Sequence, residues 1–224
     1  MNGTLVPFLS DIGYRAAMDF TRPVRAVIPG TQGRILEVLA ETTAELNLRT
    51  IARLAGVSLA QASRLLPSLV ELGIVERREA PPSALFRLVP ENVGARAITA
   101  LTRTRQTALD ELGETAAGLT PAAASVIVFG SFARGEADVE SDLDVVVVRS
   151  RDVDEDDPAW RSTTERWRDQ ARRLTGNRVQ VLEIGEVEVA RLLRSRKPLW
   201  LDVQRDGLVV FGLGLTDLKG RRSA

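Results

Sequence analysis

Residues 130–144 read GSFARGEADVESDLD, and this stretch decides how the chain is read. It is preceded by the apolar run Ser125 to Phe129 (SVIVF), the composition of a buried strand, which Gly130 and Ser131 end. Phe132 to Gly135 can begin a helix, whose exposed N–H groups and positive dipole end favour an anion. Leu143 to Val148 (LDVVVV) is a second buried strand, with Asp142 and Asp144 at its start. Residues i and i+2 of a strand share a face about 6.6 Å apart, so the two carboxylates can share one divalent cation or hold a pair about 3.5–4 Å apart. Without a cation they would repel each other and resist desolvation. The spacing thus sets a place for phosphates beside a place for Mg²⁺ or Mn²⁺, and a nucleoside triphosphate is the first ligand to consider. No Gly-Lys-Ser/Thr follows a glycine-rich run, so this is not a Walker A loop.

The stretch resembles the DNA polymerase beta-like nucleotidyltransferase superfamily, above all its minimal nucleotidyltransferase branch, whose signature is Gly-Ser, then Arg-Gly-Glu, then Ser-Asp-x-Asp. Gly130, Ser131, Arg134, Gly135, Glu136, Ser141, Asp142 and Asp144 match every element. The resemblance implies that Gly130 and Ser131, with Arg134 and Ser141, bind the nucleotide. It also implies that Asp142 and Asp144 bind the metal and are catalytic, in transfer to an acceptor hydroxyl with release of pyrophosphate. The family's third acid lies on a later strand. Here that strand is Arg178 to Ile184 (RVQVLEI), and its expected position holds Gln180. A glutamine can coordinate through its carbonyl but cannot take a proton. Glu183 is three residues on, an odd offset that turns it to the opposite face of an unbroken strand.

Composition narrows the chemistry. The 224 residues fit two small domains better than one, and 44% hydrophobic content suffices for a core in each. Lys plus Arg and Asp plus Glu are 30 each, so a nucleic-acid contact would need a local basic face. There is no cysteine and no histidine, which removes disulfides, thiolate chemistry, zinc–thiolate sites and the commonest general base. Catalysis would rest on carboxylates, Arg or Lys, hydroxyls and a hard cation. No apolar run is long enough to span a bilayer, and the N-terminus makes a poor signal peptide; the expectation is a cytoplasmic protein without membrane contact.

Upstream, Pro23 to Gly33 reads as an irregular lead-in. Ile35, Leu36, Val38 and Leu39 mark a helix from Arg34 to about Glu41, and Leu48 to Ala55 a second, with Thr50 as its cap. Ser58 is an N-cap for a third helix, SLAQASRLLPSLVELG, whose stripe is Ala62, Leu65, Leu66, Leu69 and Leu72. Pro67 sits inside it, where a lost hydrogen bond and a ring clash cost about 3 kcal/mol. Val75 onward and Ala84 to Val89 form a hairpin turned at Pro81 and Pro82. Three helices and a hairpin are the winged helix-turn-helix layout. The phrase SRLLPSLVELGIVERRE resembles the recognition helix and first wing strand of bacterial transcription regulators. The resemblance implies double-stranded DNA as partner, through Ser58, Gln61, Ser63, Arg64, Arg77 and Arg78. The alternative is a solvated helix face and a charged edge strand, diluted by Glu71, Glu76 and Glu79.

The expected fold is α+β: a lead-in (1–30), a winged helix-turn-helix domain (31–90), a linking helix (91–120) able to serve as a homodimer element, a nucleotidyltransferase-fold domain with a small mixed sheet flanked by helices (121–212), and a frayed tail (213–224). Trp160, Trp167, Ala171 and Leu174 share a core-facing side of a helix started by Pro158, after a solvated acidic loop at 152–157. The leading function is a Mg²⁺-dependent nucleotidyltransferase carrying a DNA-binding domain; the alternative is a transcription regulator whose second domain is a nucleotide sensor or a catalytically degenerate relic. A toxin–antitoxin component is a third possibility with no residue of its own to support it.

Overall fold

Helical apolar spacing in the first third of the chain gathers one core. In the computed structural model, which describes residues 17–220, α1 (Pro23–Val27), α2 (Gly30–Ala40), β1 (Leu46–Asn47), α3 (Leu48–Ala55), α4 (Leu59–Glu71), β2 (Val75–Ala80) and β3 (Ser83–Leu88) follow in order. Ile35, Leu36 and Leu39 of α2, Ile51 of α3 and Leu66 and Leu69 of α4 are buried together against Val75 and Phe86. The strands form an antiparallel sheet, β1-β3-β2, with Ala80 opposite Ser83 across the Pro81-Pro82 turn. This is a winged helix-turn-helix. The cap of α3 is Asn47, not Thr50: the Asn47 side chain accepts the Thr50 N–H at 2.9 Å, an interaction worth about 1 kcal/mol. Ser58 and Gln61 form a reciprocal capping box on α4. That helix runs unbroken through Pro67, with Ala62, Leu66 and Leu69 buried on either side of it.

The irregular lead-in expected over Pro23 to Gly33 is instead largely helical, as α1 and the first turn of α2. Gly33 permits this, because a Cβ there would stand 1.6 Å from the Ile28 carbonyl oxygen. A tight chain reversal leaves no periodic trace in so short a segment.

The single helix expected over 91–120 is two, α5 (Val93–Leu101) and α6 (Thr104–Ala117). Thr99, Thr102 and Thr104 each turn a hydroxyl onto a backbone carbonyl three or four residues back, at 3.0, 2.7 and 2.5 Å, which competes with the helical ladder at the joint. Ala95 and Ile98 of α5 join the winged-helix core, whereas Ala108, Leu109, Leu112 and Ala116 of α6 join a second one. Val93 and Ala97, on the side expected to serve a second copy, remain exposed.

The second core is organised by a four-stranded sheet of β4 (Ala123–Phe129), β5 (Leu143–Arg149), β6 (Val179–Gly185) and β7 (Leu208–Gly212), in the order β6-β5-β4-β7. Only β5 and β6 are parallel. Side chains alternate in facing. Val126, Val128, Val145 and Val147 pack on α6 and on α8 (Pro158–Thr175), through Trp160, Trp167 and Ala171. Ile127, Val146 and Val148 pack on α9 (Glu186–Leu193), α10 (Pro198–Asp206) and α11 (Leu215–Gly220). Burial on both faces explains the unbroken apolar runs of β4 and β5. The tail is not frayed as far as Gly220: Leu218 of α11 is fully buried against this second face. The remaining lead-in (1–16) and tail (221–224) lie outside the described residues. No described helix is long and apolar enough to cross a membrane.

Candidate functional site

The candidate residues converge because β4 ends where β5 begins. The two strands are antiparallel with Phe129 opposite Asp144, so the turn at Gly130 folds directly over that aspartate. Gly130 has φ 73°, in the left-handed region, and a Cβ there would lie 2.7 Å from Asp144 Oδ2. Only glycine meets both demands. The short helix α7 (Gly130–Arg134) follows, anchored by Phe132, which is fully buried and stacks edge-on against Phe20 at 4.7 Å. Arg105, at the start of α6, donates Nε to the Phe132 carbonyl at 2.7 Å and Nη2 to the Ala133 carbonyl, satisfying the end of α7.

Asp142 lies just before β5, and Asp144 is its second residue. Burial first, and then the charge of Asp142, push the Asp144 carboxyl above the usual carboxylate range, against the pull of Arg134. Gln180, expected from the resemblance at the third acid's position, is the register partner of Asp144 on the parallel neighbour β6. Its Nε2 donates to Asp142 Oδ2 at 2.5 Å. The opposite amide orientation would set two oxygens face to face. Arg178 donates Nε to Asp142 Oδ1 at 3.0 Å and Nη2 to Oδ2 at 2.6 Å, a bidentate fork. Glu183 turns to the opposite face, where Arg149 Nε donates to it at 3.1 Å, and so cannot replace the missing acid.

Ser141 and Arg134 have structural partners as well. Ser141 Oγ closes the 138–141 turn by donating to Asp138 Oδ1 at 2.9 Å and accepting the Asp138 N–H at 3.0 Å. Arg134 pairs with Glu136 at 2.7 Å and with Asp206 at 3.1 Å. Arg205 above all, with help from Arg134, holds the Asp206 carboxyl down to about 2. The Ser131 side chain sits in the first turn of α7 beside Gly130.

Three contributors escape a reading of the motif alone: Arg105, Arg178 and Asn177. Asn177, only 1% exposed, donates Nδ2 to the carbonyls of Asp138 at 3.2 Å and Ser141 at 2.9 Å, so it fixes the loop that presents Asp142. The run from Asn177 to Gln180 carried one signal in the sequence, the polar residues at an apolar strand's edge.

The donor types present, carboxylates and an amide carbonyl, are those a hard divalent cation takes. Asp142 and Asp144 offer carboxylate oxygens, and Gln180 can offer its carbonyl by rotation. The set holds two carboxylates and no third: among the described residues no group of three or more His, Cys, Asp or Glu is placed to hold a metal. The acidic 152–157 loop conforms, since Asp154 and Asp157 accept backbone N–H groups at 2.8 Å, and Asp157 thereby caps α8.

On the winged helix, Ser58 and Gln61 are engaged in their capping box, and Arg64 Nε donates to its own helix at the Ala60 carbonyl, 3.2 Å away. Arg77 pairs with Glu79 at 2.7 Å, and Arg78 forks onto Glu45. Ser63 and Arg77 line a groove of about 1110 Å³ between α4 and the β2–β3 wing, together with Arg49 of α3. Arg49 was not among the expected contacts.

Comparison with known proteins accords with this architecture. The nucleotidyltransferase domain family matches residues 109–203, and the IclR helix-turn-helix domain family matches residues 33–79. Residues 33–79 thus match a helix-turn-helix domain and residues 109–203 a nucleotidyltransferase domain, in an α+β arrangement. Among solved structures, similarity is found to the homodimeric winged helix-turn-helix DNA-binding domain of a candidate ArsR-family regulator from Mycobacterium bovis. The identity is 29%, the match covers 40% of this chain and 81% of that one, and the TM-score is 0.31. A candidate nucleotidyltransferase from Sulfolobus solfataricus is similar at 22% identity, over 48% of this chain and 82% of that one, with a TM-score of 0.28. No curated protein matches.

Proposed function

We propose that this protein is a DNA-binding regulator whose nucleotidyltransferase domain binds a nucleoside triphosphate with a divalent cation and responds to it without efficient transfer. Gln180 carries the reading. Beside Asp144 in register and hydrogen-bonded to Asp142, it stands where a base would be needed to take the proton of an attacking hydroxyl, and an amide cannot take it. Mg²⁺ or Mn²⁺, when bound at Asp142 and Asp144, would neutralise phosphate charge and orient the triphosphate. The chain's own part is to position: Gly130 keeps the turn close to Asp144, and Ser131 with the N–H groups of α7 would receive the phosphates. Arg134, tied to Glu136 and Asp206, lends positive charge, and Ser141 shapes the loop before Asp142. On the DNA side Ser63, Arg64, Arg77 and Arg49 offer the contacts, Ser58 and Gln61 set the first turn of α4, and Arg78 serves mainly the wing.

Active transfer is the second reading, favoured by the retained Gly130, Asp142 and Asp144. Calorimetry of each nucleoside triphosphate with Mg²⁺, run beside a pyrophosphate assay, separates the two. Binding that is lost in Asp142→Asn, without pyrophosphate release, is the expected result. Absence of binding in the wild type refutes both readings.

A further inference from the structure

We infer that Arg178 is a built-in competitor for the divalent cation at Asp142, so that the metal position is filled by the chain's own guanidinium until a cation displaces it. The inference rests on the nucleotide-and-cation reading of this site. Its ground is the position of the fork: Arg178 grips both oxygens of Asp142, at 3.0 and 2.6 Å, the oxygens a metal would use. The backbone sets this up. The Leu143 N–H donates to the Arg178 carbonyl at 2.8 Å, which holds the arginine beside the aspartate at the mouth of the parallel pair β5–β6.

The chemistry of the pair is that of a substitute ion. A guanidinium is planar and keeps its charge at any working pH, so the carboxylate is neutralised without a metal, and alkaline conditions do not undo it. Gln180 strengthens the hold by donating to the Oδ2 that also accepts from Arg178. A cation entering the site must therefore turn two donors away; rotation of Gln180 then presents its carbonyl oxygen instead. Arg178 can leave without unpacking anything, since its side chain is 71% exposed while that of Asp142 is 24% exposed. The same exposure keeps the competition modest, because solvated ion pairs are weak.

Mn²⁺ alone, titrated into the full-length protein and followed by the electron paramagnetic resonance of the free ion, tests the inference without any turnover. Arg178→Met keeps an apolar stem and removes the fork. It should tighten Mn²⁺ binding by about 1.5- to 5-fold, the range expected for releasing one exposed pair. In an Asp142→Asn background the same substitution should change nothing, because the competed ligand is gone. Equal affinity in wild type and Arg178→Met overturns the inference, as does a gain of the same size in the Asp142→Asn background, which would be a general charge effect. Both results leave the nucleotide-and-cation reading standing. Unchanged Mn²⁺ affinity in Asp142→Asn alone overturns that reading and the inference together.

Discussion

Gly130→Ala should damage ligand binding far more than folding. Alanine at φ 73° incurs left-handed strain of about 1–2 kcal/mol, offset by about 0.4–1 kcal/mol from the smaller entropy of the unfolded chain. The net loss, about 1 kcal/mol, corresponds to about 2–4 °C in Tm for a chain of this length. Gly30 has nearly the same backbone, φ 80°, and a Cβ there would meet no atom within 4 Å, so Gly30→Ala measures the strain alone. At Gly130 the new methyl would also stand 2.7 Å from Asp144 Oδ2. A carboxylate on a short side chain can rotate aside, so the contact displaces the proposed metal ligand rather than unfolding the domain. Loss of such support costs about 10- to 100-fold in metal affinity. Thermal melts and Mn²⁺ titrations of the two variants side by side decide the matter. Similar melting temperatures with weakened Mn²⁺ binding only in Gly130→Ala are expected; equal Mn²⁺ affinity in both refutes the reasoning.

Two further perturbations address the loop and the DNA face. Asn177→Ala strips the Asp138 and Ser141 carbonyls of a buried donor and should destabilise the protein by about 1–3 kcal/mol, read by urea denaturation, with Mn²⁺ affinity falling alongside. Arg49→Ala should weaken binding to duplex DNA and lower the slope of log K against log salt by about 1, whereas Arg78→Ala, whose guanidinium already serves Glu45, should leave the slope nearly unchanged.

The strand–turn–strand around GSFARGEADVESDLD was legible because each of its signals is local: an apolar run, a Gly-Ser stop and a fixed i, i+2 spacing of carboxylates. The winged helix was legible for the same reason, through the Ser58 cap and the stripe of α4. Even Gln180 could be located by its strand, and it pairs in register with Asp144. Arg178, Asn177 and Arg105 could not be found that way. Each acts 27 or more residues away along the chain, on a carboxylate or a carbonyl that no periodicity marks. The break between α5 and α6 was hidden because three threonine hydroxyls interrupt a helix without disturbing its apolar spacing. The helix α11 was missed because a single buried Leu218 is too little to register as a pattern.

Restoring the absent carboxylate tests the account most directly. Gln180→Asp puts an acid in register with Asp144, on the side chain position that now donates to Asp142. With Mg²⁺ and each triphosphate, against a panel of RNA, DNA and protein acceptors, pyrophosphate release should be absent or trace in the wild type and should rise in Gln180→Asp. The rise should vanish again in the Gln180→Asp, Asp142→Asn double variant. Asp142-dependent release by the wild type, at a rate that Gln180→Asp does not increase, would contradict the account.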